Sequence, residues 1–122
     1  MVADCYLTTP PPPPADPHGI PQHAPGAKLD AGKVRAGLMF SDFARALDAV
    51  AQVTTYGAEK YTPRGWRTVP DGPARYADAQ MRHHLAAARG EERDAESGLL
   101  HAAHAAWNAL ARLELQILAE EE

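Results

Sequence analysis

Two histidines and an asparagine interrupt an alanine- and leucine-rich stretch near the end of the 122-residue sequence. An α-helix turns about 100° per residue, which places Asn108 about 20° from His101 and His104 about 60° to one side. The three side chains are therefore predicted to form one narrow polar stripe on a helix that is otherwise apolar. Such a stripe either faces solvent or lines one wall of a site. Two imidazoles one helical turn apart can approach a single cation or phosphate.

A second set of reactive side chains lies just before this stripe, where residues 90–98 carry a run of carboxylates. Glu91 and Asp94 have the spacing at which two carboxylates can share a hard divalent cation. Because oxygen ligands dominate and Cys5 is the sole cysteine, Mg²⁺ or Mn²⁺ is favoured over zinc. The structural alternative is that Asp94 caps the next helix and Glu96 lies near its positive end.

Further candidates lie on the helices and loops that precede the acidic run. His83 is followed by His84, and neighbours on a helix diverge by about 100°, so the two cannot face one site. Glu59 ends the polar face of an earlier helix and is either a functional carboxylate or a surface residue paired with a lysine. Trp66 either stacks on a base or covers the core. The residues predicted to hold substrate are Lys28, Asp30, Lys33, Arg35, Lys60, Trp66, Arg82 and Asn108.

Composition excludes several classes of protein. A net charge of −4 gives no basic face for general nucleic-acid binding. The sequence has no apolar run long enough to predict a membrane span. One cysteine cannot form an internal disulfide, and the N-terminus lacks the pattern of a signal peptide, so we expect a cytoplasmic protein. P-loop and GxSxG motifs are also absent from the sequence.

The elements that position these residues are predicted to be helices, which gives an all-α fold. Residues 1–27 hold most of the prolines and no lysine or arginine, and are predicted to be a disordered arm. Residues 28–122 are predicted to form one domain. Its first helix is predicted to begin at Ser41, and its core-facing side chains would be Phe43, Leu47, Val50 and Thr54.

Two further helices are predicted over about residues 74–89 and 95–120, with Gly90 ending the first of them. The short loop between them predicts antiparallel packing. Three main helices leave apolar faces uncovered, so we expect a homodimer or homotetramer to complete the bundle.

Six short motifs occur in order along residues 28–115. They are KxDxGKxR at 28–35, TYGAEKY at 55–61, RGW at 64–66, the helix from Arg75 to MRH at 81–83, GExxDxESG at 90–98 and HxxHA at 101–105. In this order and at these spacings the sequence resembles the small phage dATP/dGTP diphosphohydrolases, which are relatives of the MazG-type all-α nucleotide pyrophosphohydrolases. The ExxE motif of the wider MazG group is missing, so histidines are expected to replace some carboxylates.

The resemblance implies cleavage of dGTP or dATP into the monophosphate and pyrophosphate, with Mg²⁺ or Mn²⁺. It further implies a place in the host cytoplasm and, in some phages, a supply of dGMP for 2-aminoadenine nucleotides. The metal ligands would be drawn from Glu59, Glu91, Asp94, Glu96, His83, His101 and His104, and the catalytic groups from Glu59, Asp94 and His104. The alternative is a non-catalytic helical module that binds a nucleotide or a partner.

Overall fold

The computed structural model describes residues 13–122, and within them every regular element is helical. The α-helices are α1 (Ala36–Asp42), α2 (Ala44–Lys60), α3 (Gly72–Ala88) and α4 (His101–Glu121), and a 3₁₀ turn covers Gly65–Thr68. The all-α prediction is confirmed. None of these helices is both long enough and apolar enough to cross a membrane.

The segment before α1 is built from turns. The Asp16 carboxylate accepts hydrogen bonds from the backbone N–H groups of His18, Ile20 and Lys28, at 2.7, 3.3 and 2.8 Å. The N–H of Lys28 is the main reason that the pKa of Asp16 lies below its ordinary value. The rest of the proline-rich arm, with Cys5, lies outside the described residues, and the disorder of the arm stays a prediction.

The predicted start of the first helix at Ser41 is wrong. Helical structure begins at Ala36, and Ser41 lies near the end of α1 rather than at a cap. The chain bends at Phe43, where the backbone leaves the helical region, but the N–H of Phe43 still bonds to Met39 and its carbonyl still accepts the N–H of Leu47. The backbone hydrogen bonds therefore continue across the bend. Capping rules look for unpaired N–H groups at the start of a helix, so they do not locate this bend.

The predicted core face of this region is correct at two positions and wrong at two. Leu47 and Val50 are partly buried, and Val53 is fully buried. Phe43 is 56% exposed, and Thr54 faces outward with its hydroxyl bonded to the Val50 carbonyl. The side chains that face the core are therefore Leu47, Val50 and Val53, because α2, which follows the bend, packs against α4.

Helix α3 matches its prediction closely at both ends. It ends one residue before Arg89, and Gly90 follows in the left-handed region at φ +96°, where its N–H bonds to the Ala87 carbonyl. Near its start, Gly72 lies so close to Tyr76 and Leu115 that an added Cβ would be 3.3 and 3.5 Å from their side chains. A side chain at this position would press on the Tyr76 ring and touch Leu115 of α4.

Helix α4 begins at His101 rather than near residue 95, and Asp94 does not cap it. Residues 91–100 form a closed loop instead. The Asp94 N–H bonds to the Leu99 carbonyl at 2.8 Å, and Arg93 and Leu100 form an antiparallel bridge. Gly98, at φ +74°, makes the reversal that a helix over this stretch would exclude.

The α3–α4 pair is antiparallel, as predicted: positions late in α3 meet positions early in α4. Its interface uses small side chains, with Ala86, Ala103 and Ala111 all nearly inaccessible to solvent. Large apolar side chains stay exposed elsewhere, among them Leu38, Phe40, Phe43, Met81, Leu85, Leu110 and Leu113. The expected dimer or tetramer stays a prediction, which these exposed surfaces motivate.

Candidate active site

Three histidines meet between α3 and the start of α4. The rings of His83 and His104 are stacked, with centroids 4.5 Å apart and planes 7° apart. His83 Nδ1 lies 2.8 Å from His101 Nδ1, so one of these nitrogens carries a proton and the other accepts it. Only 4% of His101 and 8% of His104 is exposed. The predicted stripe is therefore an inner wall and not a solvated face.

Burial favours the neutral form of two of these rings. It lowers the pKa of His104, partly opposed by the Asp94 carboxylate, and it lowers the pKa of His83, assisted by repulsion from the neighbouring histidines. A neutral imidazole at neutral pH can accept a proton. The arrangement therefore suits a general base better than a fixed positive charge.

Residues 91–100, which we call the acidic loop, contact these histidines through Ser97. Its Oγ lies 2.7 Å from His104 Nε2 and also accepts the N–H of Leu99 at 3.2 Å. Its own N–H bonds to Asp94 Oδ2 at 2.8 Å, and that oxygen is 4.0 Å from His104 Nε2. Burial raises the pKa of Asp94, but the Ser97 hydrogen bonds and the histidines outweigh it and hold the pKa below its ordinary value. Sequence reasoning missed Ser97, although it lies within the GExxDxESG motif.

Glu91 faces the second histidine of the stripe. Its Oε2 lies 3.3 Å from His101 Nε2, a buried nitrogen that makes no hydrogen bond in the described residues. The separation is close enough for electrostatic attraction, but the orientation does not give a hydrogen bond. His101 Nε2 and the Glu91 carboxylate thus lie side by side, and neither makes a hydrogen bond within the described residues.

Lys60 and Glu96 tie the end of α2 to the acidic loop. Lys60 Nζ lies 2.7 Å from Glu96 Oε1. The hydrogen bond from Lys60, supported by one from Tyr56, lowers the pKa of Glu96, and the same contact raises the pKa of Lys60. Both side chains are largely exposed, so the pair fixes geometry more than it adds stability. Tyr56 also packs edge-on against the His104 ring.

A cleft of about 420 Å³ opens between α2 and the acidic loop. Its residues are Asp48, Ala51, Gln52, Thr55, Tyr56, Glu59, Ser97 and Leu99. Glu59 lines this cleft and is exposed, and its carboxylate makes no hydrogen bond or ion pair to another residue of the range 13–122. Ser97 therefore borders the cleft on one side and contacts His104 on the other.

The remaining predicted residues lie elsewhere or make structural contacts. Asn108 is buried and donates to the His104 carbonyl at 2.8 Å, so its amide supports its own helix. Trp66 packs edge-on against Tyr76 and Trp107, which fits a cover over the core better than a surface for stacking a base. The basic side chains Lys28, Lys33, Arg35 and Arg82 are exposed, and Asp30 is partly exposed in the loop before α1.

The predicted metal ligands do not form a metal centre by themselves. In residues 13–122 no group of three or more histidine, cysteine, aspartate or glutamate side chains is arranged to hold an ion. Glu96 is engaged by Lys60, and one oxygen of Asp94 is engaged by Ser97. His101 Nε2 and the Glu91 carboxylate make no hydrogen bond among the described residues. Glu59 lies apart from them on α2.

Comparison with known proteins gives a consistent result. The chain is 37% identical over 81 residues to a dATP/dGTP diphosphohydrolase of Salmonella phage PMBT28, and the match covers 66% of this chain. It covers 26% of that relative, so the chain spans about a quarter of its length. No solved structure matches. The sequence model for the N-terminal region of dATP/dGTP diphosphohydrolases matches residues 23–122, and the chain therefore belongs to that family.

Proposed function

We propose that this chain carries the site at which a purine deoxynucleoside triphosphate, dGTP or dATP, is hydrolysed to the monophosphate and pyrophosphate. The observation that carries the proposal is the cleft, which joins the α2 carboxylates to the acidic loop and, through Ser97, to the buried histidines. Membership of the family and the phage relative support the same substrate class. In a phage that uses 2-aminoadenine, the dGMP released would feed that pathway.

Three side chains are suited to activate the attacking water. Glu59 lies free in the cleft wall, Asp94 stays ionised because its pKa is lowered, and His104 is neutral because its pKa is lowered. Of the two groups whose pKa is shifted, the neutral imidazole of His104 is the better proton acceptor, because a lowered pKa makes the Asp94 carboxylate a weaker base. Ser97 bonds to both Asp94 and His104, whose nearest side-chain atoms are 4.0 Å apart, so the carboxylate stabilises the positive charge that forms when His104 takes a proton.

The polarity of the cleft argues for a divalent cation. Its α2 wall carries Glu59 at the end near the acidic loop, and this carboxylate repels a polyphosphate bound beside it unless positive charge intervenes. Bound Mg²⁺ or Mn²⁺ would neutralise phosphate charge and polarise the attacked phosphorus. Residues 13–122 hold no preformed metal centre, so the metal requirement rests on this charge argument and on the resemblance.

Nucleotide turnover with product analysis tests the proposal. Purified protein with Mg²⁺ or Mn²⁺ should convert dGTP or dATP to the monophosphate with one pyrophosphate per turnover, and EDTA should stop the reaction. Glu59→Gln should reduce the rate, since it removes a carboxylate from the cleft at nearly constant size.

Glu121→Gln, an exposed carboxylate at the far end of α4, is the matched control and should leave the rate unchanged. Release of inorganic triphosphate would contradict the proposed bond cleavage. Stabilisation of the fold by nucleotide without any product, unaffected by Glu59→Gln, would favour the non-catalytic binding module instead.

A further inference from the structure

One face of α2 presents a continuous polar wall to the cleft. Asp48, Gln52, Thr55 and Glu59 all line it. Their spacing places them within about 60° of arc on the helix. Glu59 lies at the end of the wall near the acidic loop, and Asp48 and Gln52 lie toward the other end. The cleft is therefore long enough to have two chemically different ends.

The hydrogen atoms on this wall can be assigned from the bonds that they make. Gln52 Nε2 donates to Asp48 Oδ2 at 3.1 Å, and an ionised carboxylate cannot donate, so the orientation of the Gln52 amide is fixed. The Thr55 hydroxyl donates its hydrogen to the Ala51 carbonyl at 3.0 Å, so its oxygen can only accept. Around Asp48 and Gln52, the wall offers the two Asp48 carboxylate oxygens, one of which already accepts from Gln52, beside the second N–H and the Oε1 acceptor of the Gln52 amide.

We propose that Asp48 and Gln52 recognise the Watson–Crick edge of a guanine base. This inference rests on the proposed nucleotide function and adds the base preference to it. Guanine presents two donors, the 2-amino group and N1–H, beside one acceptor, O6. The protein presents the complementary order, with two acceptors on Asp48 beside one donor on Gln52. The existing bond between the two side chains holds this pattern in place before a ligand binds.

Adenine can pair with the Gln52 amide through N1 and its 6-amino group, but it cannot offer two adjacent donors to the Asp48 carboxylate, so the discrimination depends on Asp48. Adenine N1 is an acceptor, and its lone pair would face the Asp48 carboxylate if the base lay as guanine does. Adenine also lacks a 2-amino group, so one carboxylate oxygen would be left without a donor. A site built to receive hydrogen bonds rejects a base that leaves its groups unpaired.

The position of the pair along the cleft fits a nucleotide. Gln52 and Glu59 are seven residues apart, a rise of roughly 10 Å along the helix. This separation leaves room for the sugar between a base at Asp48 and phosphates near Glu59 and Ser97. The negative charge of Asp48 is thereby used for recognition at the end of the cleft away from the phosphates.

A competition assay with equimolar dGTP, dITP and dATP tests the subsite. Native protein should prefer dGTP to dATP by about tenfold or more, and dITP, which keeps N1–H and O6 but lacks the 2-amino group, should fall between them. Asp48→Asn replaces an acceptor with a donor and should bring the dGTP:dATP ratio to one or below. Gln52→Leu should weaken the preference without reversing it.

Asp78→Asn, an equally exposed carboxylate on α3, should leave the ratio unchanged. Binding of the three nucleotides, measured by calorimetry, separates this inference from the proposed reaction. Binding that prefers dGTP through Asp48 but gives no product would retain the subsite and overturn the reaction. Turnover with a ratio that Asp48→Asn does not change would overturn the subsite and retain the reaction. Absence of both binding and turnover would overturn both.

Discussion

The two ends of the α3–α4 pair are both built from planar rings, but the rings meet in different ways. At one end, Trp66, Tyr76 and Trp107 pack edge-on with centroids 5.5 to 6.3 Å apart. The Tyr76 hydroxyl donates a hydrogen bond to the Trp66 carbonyl at 2.6 Å, so this side-chain bond lies within the cluster. We call these three residues the aromatic end.

At the other end, His104 stacks face to face on His83, and His83 is joined to His101 by a hydrogen bond; we call these three residues the histidine end. Here polar groups point outward to the acidic loop, and one buried nitrogen of His101 has no hydrogen-bond partner. An unsatisfied buried polar atom costs stability, whereas the aromatic end has none among the described residues. The aromatic end therefore stabilises the pair, whereas the histidine end keeps polar atoms available for chemistry.

The largest expected effect is the loss of stability in Trp107→Ala. This ring contacts both other members of the aromatic end, so its removal should lower the free energy of unfolding by about 3 kcal/mol. Leu113→Ala, at a position that is 52% exposed on the same helix, should cost less than about 1 kcal/mol. Urea unfolding followed by circular dichroism measures both. Equal losses would remove the distinction between the aromatic end and the surface of α4.

At the histidine end, His104→Gln should impair activity more than stability. Loss of the imidazole beside Ser97 should lower the turnover of dGTP or dATP by about 10²-fold if it is the base. His84→Gln is the control, because His84 is exposed on α3. Rates and melting temperatures of both variants are required. A His104→Gln enzyme that unfolds but keeps its activity per folded molecule would reverse the roles of the two ends.

Ser97→Ala should have a smaller effect, roughly tenfold on kcat with little change in KM, because the hydroxyl positions His104 and does not bind substrate in this scheme. Ser97→Thr keeps a hydroxyl and should restore most of the rate. The other serine, Ser41, lies exposed on α1, and Ser41→Ala should have no effect. If threonine fails to rescue a folded enzyme, the hydroxyl is not the feature that matters.

The smallest expected effect is on the pH dependence of stability. His83 and His104 have pKa values below the ordinary 6.5, so the unfolded chain takes up protons at a higher pH than the folded chain. The free energy of unfolding should therefore fall as the pH drops below about 6.5, before the carboxylates titrate. His83→Gln should reduce this slope and His84→Gln should not. An unchanged slope in His83→Gln would show that the stacked rings do not hold the pair neutral.

Local patterns predicted the helices well where periodicity and terminators agree. Helix α3, its end at Gly90 and its antiparallel partner all followed from apolar spacing and one glycine. The bend at Phe43 and the loop over 91–100 did not, because both depend on contacts that a linear pattern does not contain. Asp94 is a good helix cap by type, but its carboxylate is used by Ser97 within the loop.

The candidate site shows the same division. The polar stripe of His101 and His104 is visible in the sequence, since helical geometry alone aligns it. The stacking of His83 on His104 depends on how α3 and α4 meet, and Trp66 and Asn108 were assigned to substrate because their types allow it. Only their packing shows that one covers the core and the other bonds to its own helix.

Spacing and propensity are local properties, so they were enough to predict helices with carboxylates and histidines close together near residues 91–104. Only the tertiary structure decided which of these side chains face each other. It buried the histidines, joined them to the acidic loop through Ser97 and opened a cleft against α2. Burial and mutual orientation depend on the packing of distant segments, and packing sets both the protonation of the histidines and the pattern that a ligand would meet.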